Sequence, residues 1–393
     1  MVVSKSNSNQ DEFIPYSLQW LTEEDIEEVV RVLRSNWITQ GPNIKAFEDA
    51  ICEKTGAKYA VAVSSGTAAL HISCSAIGVQ KGDVVITSSN TFVASANCVT
   101  YNQGSPELVD IELDTYNISP EKIEEYIQNH RNPEKIKGII PVHFAGHPYD
   151  IEAVHQIAEK YDLFILEDAS HAMGAKWKNS QGEWIKVGSC YNSLMTVFSF
   201  HPVKHIAMGE GGLITTNNEN LYEKLLMLRN HGLTKDENIL KRNEGPWYYE
   251  MHNLGFNYRI TDIQTALGKS QLKRLGQFVE RRRELATKYN QAFEEIEWLK
   301  TPTELKNYYS SYHLYVLLFD FQVIRKTRSE VMSILRSNKI GTQVHYIPLF
   351  KQPFYKNHWG TSTKARCPKV MRYYDQCLSI PLYPRMTDKE NEK

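Results

Sequence analysis

Between about Tyr59 and Asn230 the chain alternates short, nearly continuous apolar runs with helical patterns: YAVAVSS, GTAALHISCSAIG, DVVITSS, TFVASANCVTYNQ, GIIPVHF, LFILEDAS, MTVFSF and GGLITTN. A strand with one wet face alternates apolar and polar residues, whereas a strand covered on both faces stays apolar throughout. The runs therefore predict an α/β fold, a mostly parallel sheet with helices on both faces, in which ligands gather at the carboxyl ends of the strands. Ahead of this region TEEDIEEVVRVLRSN (Thr22 to Asn36) predicts an amphipathic helix capped by Thr22, its apolar face formed by Ile26, Val29, Val30 and Leu33. Beyond Ile260 come long charged helices, including ITDIQTALGKSQLKRLGQFVERRRELATKYNQAF. A strand in HLYVLLFDF (His313 to Phe321), a helix near RSEVMSILRSN and a strand in TQVHYIPL (Thr342 to Leu349) then predict a smaller α+β domain. The expected division is a flexible segment 1–15, a large domain 16–270 that includes an N-terminal arm, and a small domain 271–393 entered by a long linking helix.

Composition narrows the function classes. With 41% hydrophobic and 23% charged residues, 393 residues suffice for two packed domains. The net charge of -1 is spread evenly, with no basic stripe carrying interleaved aromatics, so a nucleic-acid partner is not expected. No apolar run reaches the roughly 18 residues that span a bilayer. MVVSKSNSNQDEF lacks the apolar core of a secretory signal, and the expected location is the cytoplasm. The six cysteines contain no CxxC pair and read as small buried hydrophobes. His143 and His147 have a tempting metal spacing, but Gly146 and Pro148 break the helix such a pair needs, and no metal is expected.

Chemistry enters at four strand ends. In SFHPVKHIAMGEGGLITTN an apolar strand delivers Lys204 into a turn followed by Gly209, Gly211 and Gly212, where a flat cofactor can approach; the alternative for this stretch alone is a hairpin with a solvated lysine. SSGTAAL ends a strand and opens a helix, so its backbone N–H groups form an anion site, Gly66 permits close approach, and Ser65 or Thr67 can cap or donate. LFILEDASHAMGA delivers Glu167 and Asp168, of which Asp168 is preferred as the carboxylate facing the cleft. An acid there also suits Mg²⁺ or a ribose, but no Walker or GxGxxG motif accompanies it. TFVASANCV places Phe92 where its ring stacks on a heterocycle or merely packs in the core. An anion cup, a flat aromatic, a carboxylate and an amine together describe a pocket for pyridoxal 5′-phosphate, whose ring nitrogen needs such a carboxylate if it is to act as an electron sink.

With these motifs, WITQGPNIKAFEDA from Trp37, VHFAGHPYD, RNHG from Arg229, NLGFNYRITDIQTALG from Asn253 and TQVHYIPL, the sequence resembles the DegT/DnrJ/EryC1/StrS family of nucleotide-sugar aminotransferases nearly end to end. The resemblance implies the fold of type I pyridoxal-phosphate enzymes, with a mostly parallel seven-stranded sheet in the large domain. It implies Lys204 as the lysine bonded to the cofactor, Asp168 at the pyridine nitrogen and Phe92 on the ring. Ser65, Gly66, Thr67 and Ser199 would surround the phosphate, and His171 would lie near the ring hydroxyl. Asn257 would reach the phosphate of a neighbouring subunit, which implies a homodimer with shared active sites. Tyr16, the segment Asn36, Trp37, Ile38 and Thr39, and the segment Gln343, Val344, His345 and Tyr346 would contact the nucleotide sugar.

HGLTKDENI, the aromatic insert PWYYEMHNLGFNYR and QVHYIPLFKQPFY resemble the pseudaminic acid branch, implying transfer from L-glutamate to a UDP-4-keto-6-deoxy-N-acetylhexosamine. Trp247, Tyr248 and Tyr249 of the insert are alternatively dimer or core packing. Two departures stand out. The family's terminal amphipathic helix is missing or shortened after PLYPRMTDKE, and Ala207 and Met208 replace two threonines before GEGG, which implies fewer hydroxyls near Lys204. The family's sugar dehydratases carry histidine at the lysine position, so Lys204 argues for transamination. A regulatory protein that keeps only the fold would not need that lysine.

Overall fold

The computed structural model of the chain describes residues 13–393, so most of the expected flexible segment 1–15 lies outside the described residues. The seven strands β1 (Tyr59–Val63), β2 (Val84–Ser88), β3 (Ser105–Val109), β4 (Ile136–Ile140), β5 (Phe164–Asp168), β6 (Met195–Ser199) and β7 (Gly212–Thr216) make one sheet in the order β1-β7-β6-β5-β4-β2-β3. The pairs β2–β3, β2–β4, β4–β5 and β5–β6 are parallel, and β7 is antiparallel to both β1 and β6. Continuous apolar runs follow from double coverage. Val61 and Val63 enter one core with Leu70 and Ile72, while Ala60 and Ala62 enter another with Phe47 and Phe198. Successive residues point to opposite faces, and here both faces are dry.

The helix Gly66–Ile77 begins directly after β1 because Ser65 has extended backbone and its Oγ accepts from the Ala68 N–H at 3.1 Å. The predicted long C-terminal helices are two, Asp262–Lys273 and Leu275–Phe293, joined at Arg274. Beyond them a three-stranded antiparallel sheet pairs Tyr315–Phe319 with Leu299–Lys300 on one side and Cys377–Ile380 on the other. The helix Arg328–Ser337 opens with a capping box between Thr327 and Glu330, and a short helix Asp388–Glu392 ends the chain.

Two expectations need correction. TQVHYIPL forms no strand; Gln343 and Ser379 exchange one pair of backbone hydrogen bonds at the edge of Cys377–Ile380, and the chain then turns away. The first helix, Glu23–Leu33, buries Asp25 and Val32 while Ile26 and Leu33 stay exposed. Its packing face is anchored by Asp25, which accepts from Gln271 at 2.6 Å and pairs with Arg274, so Ile26 and Leu33 face away while Val29 and Val30 are half-buried. Upstream, the arm is strapped to the small sheet region: Ile14 exchanges backbone bonds with Lys339 and Gly341, and Leu382 donates to Tyr16. Ser17 donates to the Val203 carbonyl at 3.1 Å, which sets Tyr16 beside the Lys204 turn.

Candidate active site

At the carboxyl ends of β1, β2, β5 and β6 lies a cavity of about 560 Å³ that brings together Ser65, Gly66, Thr67, Phe92, Asp168, His171, Ser199 and Lys204. Tyr16 and the segment Gln343, Val344, His345 and Tyr346 complete its outer wall. A wider groove of about 740 Å³, lined by Val79, Lys137, Phe164 and Leu194, sits at the opposite end of the sheet and holds none of the predicted residues. Chemistry therefore selects the smaller cavity.

Its floor is an anion cup shaped by close approach. A Cβ on Gly66 would lie 2.9 Å from the Ser199 Cβ, and one on Gly212 would lie 2.2 Å from the Ser65 carbonyl oxygen. Any side chain at either glycine would push the helix start away from β6 and β7. Ser65 spends its acceptor on the helix cap and keeps its hydroxyl hydrogen, so capping and donation coexist. The two glycines, the free helix N-terminus and the hydroxyls of Thr67 and Ser199 form a cradle that suits a phosphate.

Asp168 ends β5, is almost fully buried, and has both carboxylate oxygens satisfied. Oδ2 accepts from Ser95 Oγ at 2.7 Å, and Oδ1 accepts from the N–H and Oγ of Ser170 at 3.1 and 2.6 Å. Thr91 donates in turn to Ser95 Oγ at 2.7 Å. Glu167 points to the opposite face of the strand, where Thr196 and Tyr149 bond it at 2.6 and 3.0 Å, which explains why only the second acid of the pair reaches the cavity. Lys204 sits on a turn closed by its own N–H to the His201 carbonyl. Burial pushes its ammonium down to about 8, while the charge of Asp168 opposes that shift.

Around Lys204 stand four buried histidines, His171, His205, His313 and His345. Burial, then the charge of Lys204, pushes His345 down to about 3; burial, then Arg282, does the same to His205. His171 and His313 are also held well below the usual imidazole range, their rings 4.4 Å apart. Of the expected metal-spaced pair, His143 is packed against Glu167 and His147 bonds the Pro148 carbonyl and the Leu305 N–H.

Some predicted residues stay outside the cavity. Asn36, Trp37, Ile38 and Thr39 are exposed and do not line it, and Asn257 is exposed and bridged to Asn230. The aromatic insert is not core packing in the protomer. Glu250 gathers the N–H groups of Lys241 and Arg242, the Tyr248 hydroxyl and the His252 ring, while Trp247 and Tyr249 face outward. Sequence reasoning missed Ser95, Ser170 and His313. Ser95 carried a faint signal, its i, i+4 spacing from Thr91 at a helix start, whereas His313 carried none because its neighbours come from remote elements.

The sequence matches the DegT/DnrJ/EryC1/StrS aminotransferase family over residues 19–393. An uncharacterized protein of Methanocaldococcus jannaschii, MJ1066, is 40% identical over 97% of this chain and 95% of its own. The spore coat polysaccharide biosynthesis protein SpsC of Bacillus subtilis is 39% identical over the same shares. Among solved structures, Helicobacter pylori PseC, an aminotransferase involved in the biosynthesis of pseudoaminic acid, is similar with a TM-score of 0.86 and 30% identity over 97% of this chain and 96% of that one. The putative sugar aminotransferase Spr1654 of Streptococcus pneumoniae, in its PLP form, has the same TM-score and coverages at 29% identity.

Proposed function

Since the chain belongs to the DegT/DnrJ/EryC1/StrS aminotransferase family, we propose that it uses pyridoxal 5′-phosphate to move an amino group from L-glutamate to C4 of a UDP-4-keto-6-deoxy-N-acetylhexosamine. The products are UDP-4-amino-4,6-dideoxy-N-acetyl-β-L-altrosamine and 2-oxoglutarate. The observation that carries this reading is the meeting of Lys204, Asp168 and the Gly66, Thr67 and Ser199 cradle in one cavity. When bound, the cofactor supplies an electron sink for the amino acid's Cα.

The chain's own residues do the rest. The cradle would hold the phosphate, Phe92 would lie against the ring, and Asp168, steadied by Ser95 and Ser170, would hold a proton at the ring nitrogen. Lys204 would anchor the cofactor and, as a free amine, move the proton at Cα. With its amine near 8, roughly a tenth is free base at neutral pH, far more than for a solvated lysine.

Asn257 serves the cavity of a second copy in this reading, which makes the working unit a homodimer. The exposed apolar side chains Ile26, Leu33, Trp37 and Ile38 support it, since such patches mark contact surfaces. Cytoplasmic location accompanies the proposal; among the described residues no helix is long and apolar enough to cross a membrane.

A second reading keeps the reaction and changes the sugar. The relatives at 39% and 40% identity are nearer in sequence than PseC at 30%, and SpsC belongs to spore coat polysaccharide synthesis, which favours another nucleotide-linked keto sugar. Assaying glutamate-dependent amination of UDP-4-keto sugars one at a time tests both. Turnover of the L-altrosamine precursor alone supports the first reading, and turnover of a different keto sugar alone supports the second. A Lys204→Ala variant that still turns over would overturn the assignment of the lysine.

A further inference from the structure

His171 is 4% exposed, and each of its ring nitrogens has one partner. The Ala145 backbone N–H donates to Nδ1 at 3.3 Å, and Nε2 lies 3.0 Å from the Tyr346 hydroxyl. A backbone N–H can only donate, so Nδ1 carries no hydrogen. A neutral imidazole with a bare Nδ1 carries its hydrogen on Nε2, and that N–H can only donate. The Tyr346 oxygen therefore accepts from His171, and the hydroxyl hydrogen of Tyr346 is left to point elsewhere. Tyr346 lines the cavity, its ring 5.9 Å from that of Phe92, so the open direction is the cavity itself.

The surroundings hold this polarity in place. Burial first, then the charge of Lys204, keeps His171 unprotonated, and the His313 ring packs against it. Facing Tyr346, burial first and then Asp168 and Tyr16 push the phenol well above its ordinary range, so it remains a donor at working pH.

We propose that Tyr346 is a directed hydrogen-bond donor to an acceptor oxygen inside the cavity, aimed by His171 as its positioning residue. The proposal rests on the aminotransferase reading of the same cavity and adds the direction of a hydrogen-bond chain, Ala145 to His171 to Tyr346 to ligand. The recognised chemistry is an oxygen that lacks, or is losing, its own proton. Such an oxygen is offered by the cofactor ring and by the carbonyl of the keto sugar.

Nitrogen NMR of histidine-labelled, cofactor-free full-length chain reads the first link, with the His171 signal assigned by its loss in His171→Gln. The expected result is a neutral ring with its proton on Nε2; a proton on Nδ1, or on both nitrogens at neutral pH, overturns the proposal. Tyr346→Phe then separates the two oxygens through the half-reactions, followed by the cofactor's visible band. If the sugar carbonyl is the acceptor, the keto-sugar half-reaction slows about tenfold, the worth of one hydrogen bond, while the glutamate half-reaction is unchanged. If the cofactor oxygen is the acceptor, the pH titration of the resting band shifts before any substrate is added and both halves slow. Wild-type behaviour in all three measurements overturns the donor role. A His171→Phe, Tyr346→Phe double variant should lose no more than Tyr346→Phe alone, and additive losses overturn the positioning role. A wild-type enzyme whose band does not respond to glutamate would defeat the aminotransferase reading, while the tautomer result would stand by itself.

Discussion

Replacing Lys204 by methionine should stabilise the cofactor-free protein even as it abolishes the reaction. Burial lowers the Lys204 ammonium from 10.5 to about 8, a shift of roughly 2.5 pH units, and at ~1.4 kcal/mol per unit the folded state is penalised by about 3 kcal/mol. The sign follows from proton binding. Below about 8 native and unfolded chains both hold the proton, so the penalty is present in full. Between about 8 and 10.5 the unfolded chain holds a proton that the native chain lacks, so native stability rises with pH; above 10.5 the penalty is gone. Methionine has a similar length and no charge, and Asp168 keeps its donors Ser95 and Ser170, so little is lost besides the attraction between Asp168 and the lysine. The variant should gain roughly 2–3 kcal/mol near neutral pH, and the gap should close by about pH 10.5. Urea unfolding of both cofactor-free proteins across that range measures it. A variant no more stable than wild type at neutral pH, or a gap indifferent to pH, refutes the reasoning. Added cofactor should reverse the order, since only the lysine can bond it.

Other tests address the walls of the site. Gly212→Ala places a Cβ 2.2 Å from the Ser65 carbonyl oxygen, so the purified variant should lose most of its cofactor; full cofactor content would show that β7 yields at no cost. Ser95→Ala removes one donor from Asp168 and should lower kcat about tenfold with KM nearly unchanged. A matching rise in KM would mean that Ser95 shapes binding instead. His205 and His345 are pushed from 6.5 down to about 3, so below 6.5 the unfolded chain takes up protons that the native chain refuses. His171 and His313 are held low by the same burial, so stability should fall as pH drops from 6.5 towards 5, before most carboxylates titrate, with a slope that approaches about four protons. A slope under one proton in unfolding experiments would contradict the buried neutral histidines.

How much of this was legible in the sequence depended on whether the signal was local. Six of the seven strands were readable because each carries an apolar run, whereas the edge strand Ser105–Val109, with Pro106 and Glu107 in a half-covered SPELV, carries none; the cup was readable because SSGTAAL carries both a strand end and a helix cap. Local pattern says that a face is covered, but not by what. The helix Glu23–Leu33 shows the limit: Ile26 and Leu33 of its apolar stripe point outward, and the packing face turns on Asp25, whose partners Gln271 and Arg274 stand some 250 residues away. TQVHYIPL has the alternation of a strand, yet pairs through Gln343 alone because its following residues are drawn to the cavity. RNHG looked functional only through resemblance, and in the folded chain its arginine ties elements together, since Arg229 binds Glu48 and the Ala62 carbonyl at 2.7 and 2.8 Å.

Ala207 and Met208 sharpen that distinction. By resemblance they remove hydroxyls beside Lys204, yet neither lines the cavity and both are core residues. The Met208 sulfur fills the space over Gly268, where a Cβ would come within 2.5 Å of it, so bulk before GEGG is matched by the absence of bulk on the helix Asp262–Lys273. What positions Lys204 is backbone: its own N–H to His201, Phe200 to Gly211, Met208 to Phe200, and the Val203 carbonyl held by Ser17. None of these bonds uses a side chain at 207 or 208. The polarity around the amine is set by Asp168, with its serine donors, and by the neutral imidazoles. The chain can therefore replace both hydroxyl-bearing residues and leave the turn that presents its lysine unchanged.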